Sequence, residues 1–450
     1  MQVTETSSEG LKRKLTVIIG AAELGERLSS RLGEVKDRVQ LKGFRKGKVP
    51  VEHIRKVYGR SLMAEVVEQA IRDTSVRAIS DRKERAAATP DIELIEKGEI
   101  DNIINGKADL AYEMSFEVIP EIEIADFTSL KLERLVAEVD DEAVSKALTD
   151  LANRATSYEP EEGRAAKEGD RVAIDYSGTI GGEAFEGGTG EGLSLVLGNA
   201  NFIPGFEVGL IGAKKGDRRD VKGTFPEAYP VKELAGKEAV FDVTVKEVER
   251  PVTPVVDEDF AKSMGLESLD KLKEAVSQQI GRELAGIARV KLKRELLDEL
   301  DKAHTFELPP SLVAREFDNI WKELVRSLER GGKSLEDEEK PEDELRAEYR
   351  RIAERRVRLG LVVGEIGNRN KIDVSQDELR RALIEQARRY PGQEKLVYEF
   401  YEKTPGALAD LRAPIFEDKV VDLILEGAKP VERKVSREKL IEEAEATTQS

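Results

Sequence analysis

The chain has no cysteine, which excludes disulfides, thiol nucleophiles and zinc–thiolate centres. Its two histidines, His53 and His304, lie far apart in sequence, so a histidine-based triad or a multi-histidine metal site is not expected. His304, near a predicted helix end, reads as a cap or surface residue. No metal and no cofactor is called for. No run of ~18 apolar residues is present to cross a bilayer, and the polar opening Met1–Gly10 lacks the apolar stretch of a signal peptide. A cytoplasmic protein without membrane contact is the expectation. Glycines are frequent, yet no G-x-x-x-x-G-K-[ST] occurs, and Gly190-Glu191-Gly192 lacks both a third glycine and a following helix, so a nucleotide loop is rejected. Aromatic residues make up only 5% of the chain against 36% charged and 39% hydrophobic. That balance describes a helix-rich, lightly packed, soluble protein rather than a disordered one.

At 450 residues the chain exceeds a single core, and about three domains are expected. The net charge of -17 argues against a general nucleic-acid binder, but it is unevenly spread. Residues 1–60 hold 14 Lys and Arg against 7 Asp and Glu, a basic front on an acidic body that suits one local anionic partner. The stretch Gly43-Phe44-Arg45-Lys46-Gly47-Lys48-Val49-Pro50 concentrates this charge. Before it, Leu24, Leu28, Leu32, Val35 and Val39 mark one face of an amphipathic helix. After it, Pro50 suits a first helical turn, and Ile54, Val57, Leu62, Val66 and Ala70 carry the helical period to about Arg85. Two readings of the hairpin tip stand. Phe44 tucks back as a staple in a solvated loop, or the ring and its flanking cations form a docking loop for an anionic, partly apolar partner.

The order and spacing of GFRKGKVP, in a chain opening MQVTET, resemble the docking signature of the trigger factor family, bacterial chaperones at the ribosomal exit site. The resemblance implies that Phe44, Arg45 and Lys46 contact the large ribosomal subunit, protein and rRNA, at the exit tunnel. It implies unfolded nascent polypeptides as clients.

Around this hairpin, residues 11–19 read as a strand with Leu15, Val17 and Ile19 on one face, and residues 92–95 as a short strand. Residues 107–118 alternate, with Leu110, Tyr112, Met114, Phe116 and Val118 on one face, as in a half-buried antiparallel strand. A small α+β domain over 1–118 is therefore expected. Residues 119–165 hold an extended piece and then a helix (Val139, Val144, Leu148, Leu151), followed by a polar linker. The family has a connecting arm at this place.

From 170 the pattern changes to short strands and glycine turns. Val172, Ile174 and Tyr176 alternate, as do Leu193, Leu195 and Leu197, and Ala239, Phe241, Val243 and Val245. Phe202–Leu210 reads as one short helix stopped at Gly212. This predicts a small antiparallel sheet wrapped on a helix. Asp175-Tyr176-Ser177-Gly178, Phe185, Phe202-Ile203-Pro204-Gly205-Phe206, Phe225-Pro226-Glu227-Ala228-Tyr229 and Phe241-Asp242-Val243 resemble an FKBP-type prolyl isomerase over about 166–250. Carried over by position, Tyr176, Phe185, Ile203, Phe206, Tyr229 and Phe241 would line the proline pocket. Glu186 stands where many relatives have Asp, so a specific hydrogen bond from that group does not carry over. Without the resemblance, these aromatics read equally as the core of a small β domain.

Pro251 and Pro254 mark a boundary, and 251–450 read as almost all helix. One stripe runs Leu269 to Ile287 and a second Val313 to Leu328. An acidic turn follows at 334–344, then a third stripe from Leu345 to Ile366. Ser375-x-x-Glu378 is a capping box. Further apolar stretches lie at 396–401 and 415–425, and the charged tail from Lys429 is expected to fray. The region reads as a bundle core or, following the family, as helical arms around a cradle with scattered apolar spots, which would bind clients weakly and without sequence preference. Weak homodimerisation through the same spots is a further expectation. The whole is an α+β multidomain protein: ribosome-binding domain 1–118, connecting arm 119–165, FKBP-like antiparallel β domain 166–250, and an all-helical C-terminal domain with arms, 251–450. The alternative is a soluble prolyl isomerase or assembly factor acting on folded partners without ribosome docking.

Overall fold

The computed structural model describes residues 1–38, 44, 49–95, 100–105, 107–199, 202–227, 229, 231, 233–338, 340–404 and 406–449. It divides into two compact units. The first joins Met1–Arg134 to Lys291–Val431, and the second joins Leu135–Val290 to Glu432–Ser450.

The first unit opens with β1 (Gln2–Glu9) and β2 (Lys12–Ile19), then α1 (Ala21–Arg38) and α2 (Val51–Asp81). After β3 (Asp91–Leu94) and α3 (Ile100–Ile104), β4 (Leu110–Glu117) completes an antiparallel sheet of order β1-β2-β4-β3. In β4 every second residue is buried, as the alternation predicts. Leu15, Val17 and Ile19 of β2 share that buried face with Leu24, Leu32 and Ile54 of the helices. The one polar side chain of a β4 residue in this core, Tyr112, hydrogen-bonds Thr74 Oγ1 (2.7 Å) and Ser75 Oγ (3.0 Å) on α2. Burial of its phenol is thereby compensated. α2 stops at Asp81 rather than near Arg85, because Lys83 takes positive φ (56°) and turns the chain out of the helix. β1 escapes a pattern-based reading. It is an edge strand, exposed over nearly its whole length, held by backbone pairing to β2, and its polar, charged side chains suit an unpaired outer edge.

β5 (Glu133–Ala137) leads into α4 (Asp141–Arg154), whose N-cap Asp140 accepts from Ala143 N at 2.6 Å. Leu148 and Ala152 of α4 pack with Phe260 and Ala261 of α6 (Glu258–Ser263) and with Leu272 and Val276 of α7 (Leu269–Ala303). Between α4 and α6 lies the β-rich body of the second unit: β6 (Ser157–Pro160), β7 (Arg171–Ile180), β8 (Glu183–Val196), α5 (Phe206–Leu210), β9 (Arg218–Thr224) and β10 (Glu238–Val252). β10 pairs with β7 along one side, and with β9 and then β6 along the other. β8 pairs with β7. β6 falls inside the stretch read as a linker; its Pro160 is tolerated because the strand lies at a sheet edge. A bulge between Val245 and Glu247 shifts the inward face of β10 from Val245 to Val248.

The first unit resumes with the end of α7, then α8 (Pro310–Arg330), α9 (Glu342–Arg369), α10 (Gln376–Arg388), α11 (Glu394–Lys403) and α12 (Ala407–Ala428). Leu296, Leu300, Val362, Val420 and Ile424 enclose Ile122 and Leu132 from the extended piece after β4. The predicted capping box is present: Ser375 N donates to Glu378 Oε2 (2.8 Å) and Glu378 N to Ser375 Oγ (3.3 Å). Two expectations need correction. The region after 251 is not wholly helical, because β11 (Val431–Val435) pairs with β5. The tail does not fray over its described length either. It forms β11 and α13 (Arg437–Gln449), and Leu440, fully buried, packs with Leu135, Leu284 and Ala288. A charged stretch with one well-placed leucine is enough to hold an amphipathic turn.

Candidate functional site

The β7 and β10 strands carry the first part of the site. Tyr176 and Phe241 project from adjacent strands toward α5, where the chain presents Phe206. The three rings meet edge to face: Phe206–Phe241 centroids are 5.2 Å apart at 89°, Tyr176–Phe241 6.1 Å at 61°, and Tyr176–Phe206 6.4 Å at 79°. These are favourable quadrupole geometries. Phe185 from β8 joins at 6.2 Å from Phe241 and 5.8 Å from Phe225. Tyr229 stands 4.8 Å from Phe225. Phe206 and Phe241 are buried, whereas Tyr176, Phe185, Ile203 and Tyr229 are half-buried against them. The six predicted residues therefore share one cluster. Its floor is Phe206 and Phe241, and its half-open side chains come from β7, β8, the turn before α5 and the loop after β9.

Glycine makes room for the rings. Tyr176 is cross-strand partner to Gly190, and a Cβ there would lie 2.6 Å from the tyrosine ring. Phe241 is partner to Gly178, where a Cβ would lie 2.5 Å from the phenylalanine. Ile203 lies over Gly223 at a similarly short distance. Rings that would stand off a sheet of larger residues thus lie down against backbone. α5 itself is shorter than the Phe202–Leu210 helix the sequence suggests. Gly205 sits at φ 95° as its N-cap, so Phe202, Ile203 and Pro204 form a turn ahead of the helix. That turn is pinned by Phe206 N donating to Ile203 O (3.1 Å) and Thr224 N to Pro204 O (3.1 Å).

Two rings belong to the cluster without having been singled out. Phe202 stacks on Phe206 (5.2 Å, 21°), and Phe225 bridges Phe185 and Tyr229. The signal was available, since both lie within the quoted anchor segments. The glycines opposite Tyr176 and Phe241 were less legible, because cross-strand register is not written in either strand alone. Glu186 is exposed, next to the half-buried Phe185.

Polar groups on the other sheet face are paired. Asp175 meets Lys246 (2.6 Å) and accepts from Gly192 N (2.9 Å), and together these hold its carboxyl below the usual range. Where the chain enters the body, buried Asp170 receives Arg164 Nε and Nη2 (both 2.9 Å) and Lys167 N (2.9 Å). Burial pushes this carboxyl upward, but the Arg164 and Lys167 bonds outweigh it and the net displacement is downward.

The second part of the site is the hairpin tip between α1 and α2. Phe44 is 37% exposed, with its ring 5.2 Å from that of His53 on α2. It is neither buried under the helices nor isolated. Arg45 and Lys46 lie outside the described residues. His304, read as a cap or surface residue, is a cap but is buried. Its Nδ1 pairs with Leu300 O (2.7 Å) and its Nε2 accepts from Ala125 N (3.2 Å), an arrangement met by the neutral ring with the proton on Nδ1.

Exposed apolar side chains occur on the late helices and the connection between α10 and α11: Tyr390, Leu396, Tyr398, Phe400 and Leu408. α11 has no buried residue. No helix among the described residues is long and apolar enough to cross a membrane.

Comparison with known proteins divides the chain in the same sequence order. Residues 1–151 match the family model of the bacterial trigger factor protein, 162–246 that of FKBP-type peptidyl-prolyl cis-trans isomerases, and 268–426 that of the bacterial trigger factor C-terminus. A curated trigger factor of Afipia carboxidovorans is 51% identical over 98% of this chain and 98% of its own length. One of Methylobacterium radiotolerans is 50% identical over 100% and 96%. A solved structure of a trigger factor chaperone, described for promiscuous substrate recognition in folding and assembly activities, covers 95% of this chain and 99% of its own. Its TM-score is 0.53 at 21% identity, a likeness of fold.

Proposed function

The chain belongs to the bacterial trigger factor family, chaperones with an FKBP-type peptidyl-prolyl isomerase domain, and from that premise we propose how its parts divide the work. The isomerase site is the aromatic cluster, with Tyr176, Phe185, Ile203, Phe206, Tyr229 and Phe241 around the proline ring of the client. The observation that carries this is the convergence of four rings, Tyr176, Phe185, Phe206 and Phe241, each within 6.4 Å of another.

Such a site needs no nucleophile. Rotation about an Xaa-Pro bond is opposed by amide resonance, with a barrier of roughly 18–20 kcal/mol. Uncatalysed exchange takes on the order of 10–100 s. An aromatic lining disfavours the planar, more polar amide relative to the twisted one. Lowering the barrier by about 4 kcal/mol gives roughly a thousandfold.

Docking is assigned to the hairpin tip. Phe44 supplies the apolar contact, and Arg45 and Lys46 pair with phosphates or carboxylates of the large subunit at the exit tunnel. The part of the Phe44 ring left exposed, 37%, is available to such a contact. Nascent segments are held by the exposed apolar side chains of the late helices, which also mediate weak self-association off the ribosome. The protein acts in the cytoplasm. The domain limits 1–118, 119–165, 166–250 and 251–450 remain our functional division. The compact units cut across it, because the chain of the first unit is interrupted by residues 135–290.

The deciding experiment is paired. Vacant large subunits are sedimented with the protein, and a protease-coupled peptide assay follows isomerisation. Replacing Phe44, Arg45 and Lys46 by Ala is expected to abolish co-sedimentation and leave the peptide rate intact. Loss of both, or of neither, would overturn this division of labour, and a wild-type protein that isomerises peptides but never co-sediments would favour a freely diffusing isomerase acting on folded partners.

A further inference from the structure

Glu207 is an ionisable side chain inside the aromatic body. It is the second residue of α5, directly after Phe206, and is 8% exposed. A carboxylate in such a place is costly unless its oxygens accept hydrogen bonds. Two backbone donors contribute to meeting that requirement. Gly198 N donates to Oε2 (2.8 Å), and Phe202 N donates to Oε1 (3.3 Å). One side chain thus ties both ends of the connection between β8 and α5 to the helix that carries Phe206.

The tie matters because of what the far end bears. Phe202 stacks on Phe206 at 5.2 Å and 21°, and the same short turn carries Ile203 against β9. Gly198 turns the chain at φ 96°, and Gly205 turns it back at 95°. The turn's far end is held by Phe206 N donating to Ile203 O and Thr224 N to Pro204 O. The Glu207 oxygens add fixed points at Gly198 N and Phe202 N.

We propose that Glu207 is a positioning residue for isomerisation. Its carboxylate holds the backbone of Gly198 and Phe202 so that the Phe202 ring stays stacked on Phe206. The proposal rests on the reading of the aromatic cluster as the isomerase site. Glu207 does not touch the client; it acts through Phe202.

The test uses the full-length protein and Glu207→Gln, which keeps the size of the side chain but places an amide N–H against one of the two donors. At a temperature where circular dichroism shows the variant fully folded, kcat/KM for a proline tetrapeptide is expected to fall about tenfold or more, since displacement of a pocket wall by an ångström is enough. The Gly198 and Phe202 amide proton resonances are expected to move upfield. Phe202→Leu gives a second, independent arm. If Glu207 works through that ring, the double variant is no slower than the slower single variant. A rate within twofold of wild type, a loss that merely tracks the unfolded fraction, or additive losses in the double variant overturns the assignment. A wild-type protein that fails to accelerate exchange overturns both this assignment and the isomerase reading on which it rests.

Discussion

Gly178 shows how much one missing methyl group decides. A Cβ built there would lie 2.5 Å from the Phe241 ring and 3.1 Å from Phe185, so the strand cannot accept alanine without tilting both. Gly178→Ala is expected to lower isomerase kcat/KM at least about tenfold and to cost roughly 1–3 kcal/mol as overpacking. The peptide assay and thermal unfolding check this together, and an unchanged rate removes these rings from the pocket. Asp170 governs acid behaviour at the same scale. Its folded-state carboxyl is held below its ordinary 3.8, so it contributes stability that is complete above that value and is lost as pH falls through the depressed one. Asp170→Asn should lower the unfolding temperature at pH 7 and flatten its decline below about pH 4. An acid decline as steep as wild type would exclude Asp170 as its source. Tyr176, Phe206 and Phe241 were named through the family resemblance, since taken singly each reads equally as the core of a small β domain. The purpose of Gly178 and Gly190 was not legible, since it appears only once β7 is set in register with β8 and β10.

At the scale of elements, legibility followed the amphipathic pattern. β4 and α10 were readable because each buries one face or carries its own cap. β1, β6 and β11 were missed because edge strands are held by backbone pairing and show no alternation. The helix expected over 202–210 lost its first turn to Gly205, whose positive φ no periodicity reveals. The capping box of α10 offers a direct check. The Ser375 backbone N–H, the Ser375 hydroxyl and Lys419 together hold the Glu378 carboxyl down to about 2. In Ser375→Ala one of these donors is gone and the backbone N–H remains. NMR titration of the Glu378 carboxyl should show its midpoint rising part of the way toward 4.5. A midpoint that does not move would mean that the hydroxyl bond is not formed in solution.

For the whole molecule, charge asymmetry was the guide. The basic front, +7 over residues 1–60 of a chain at -17, leads to docking that weakens with salt, as when cations replace the counterions of phosphates. Co-sedimentation with large subunits is expected to fall steeply between ~50 and ~200 mM salt, and binding that ignores salt over that range would argue for an apolar interface. The interleaving of the two units was not legible, because nothing in the residues around 134 or 291 announces that the chain leaves one body and later returns to it. That return has a consequence for how the protein is itself made. The sheet and hairpin near the start find their core partners within the first 118 residues. Ile122 and Leu132, by contrast, rest on Val420 and Ile424. Some three hundred residues must therefore leave the exit tunnel before those two are covered, a wait of about 15–60 s at ordinary elongation rates. Until then, a newborn copy is the kind of client its finished relatives are built to shelter.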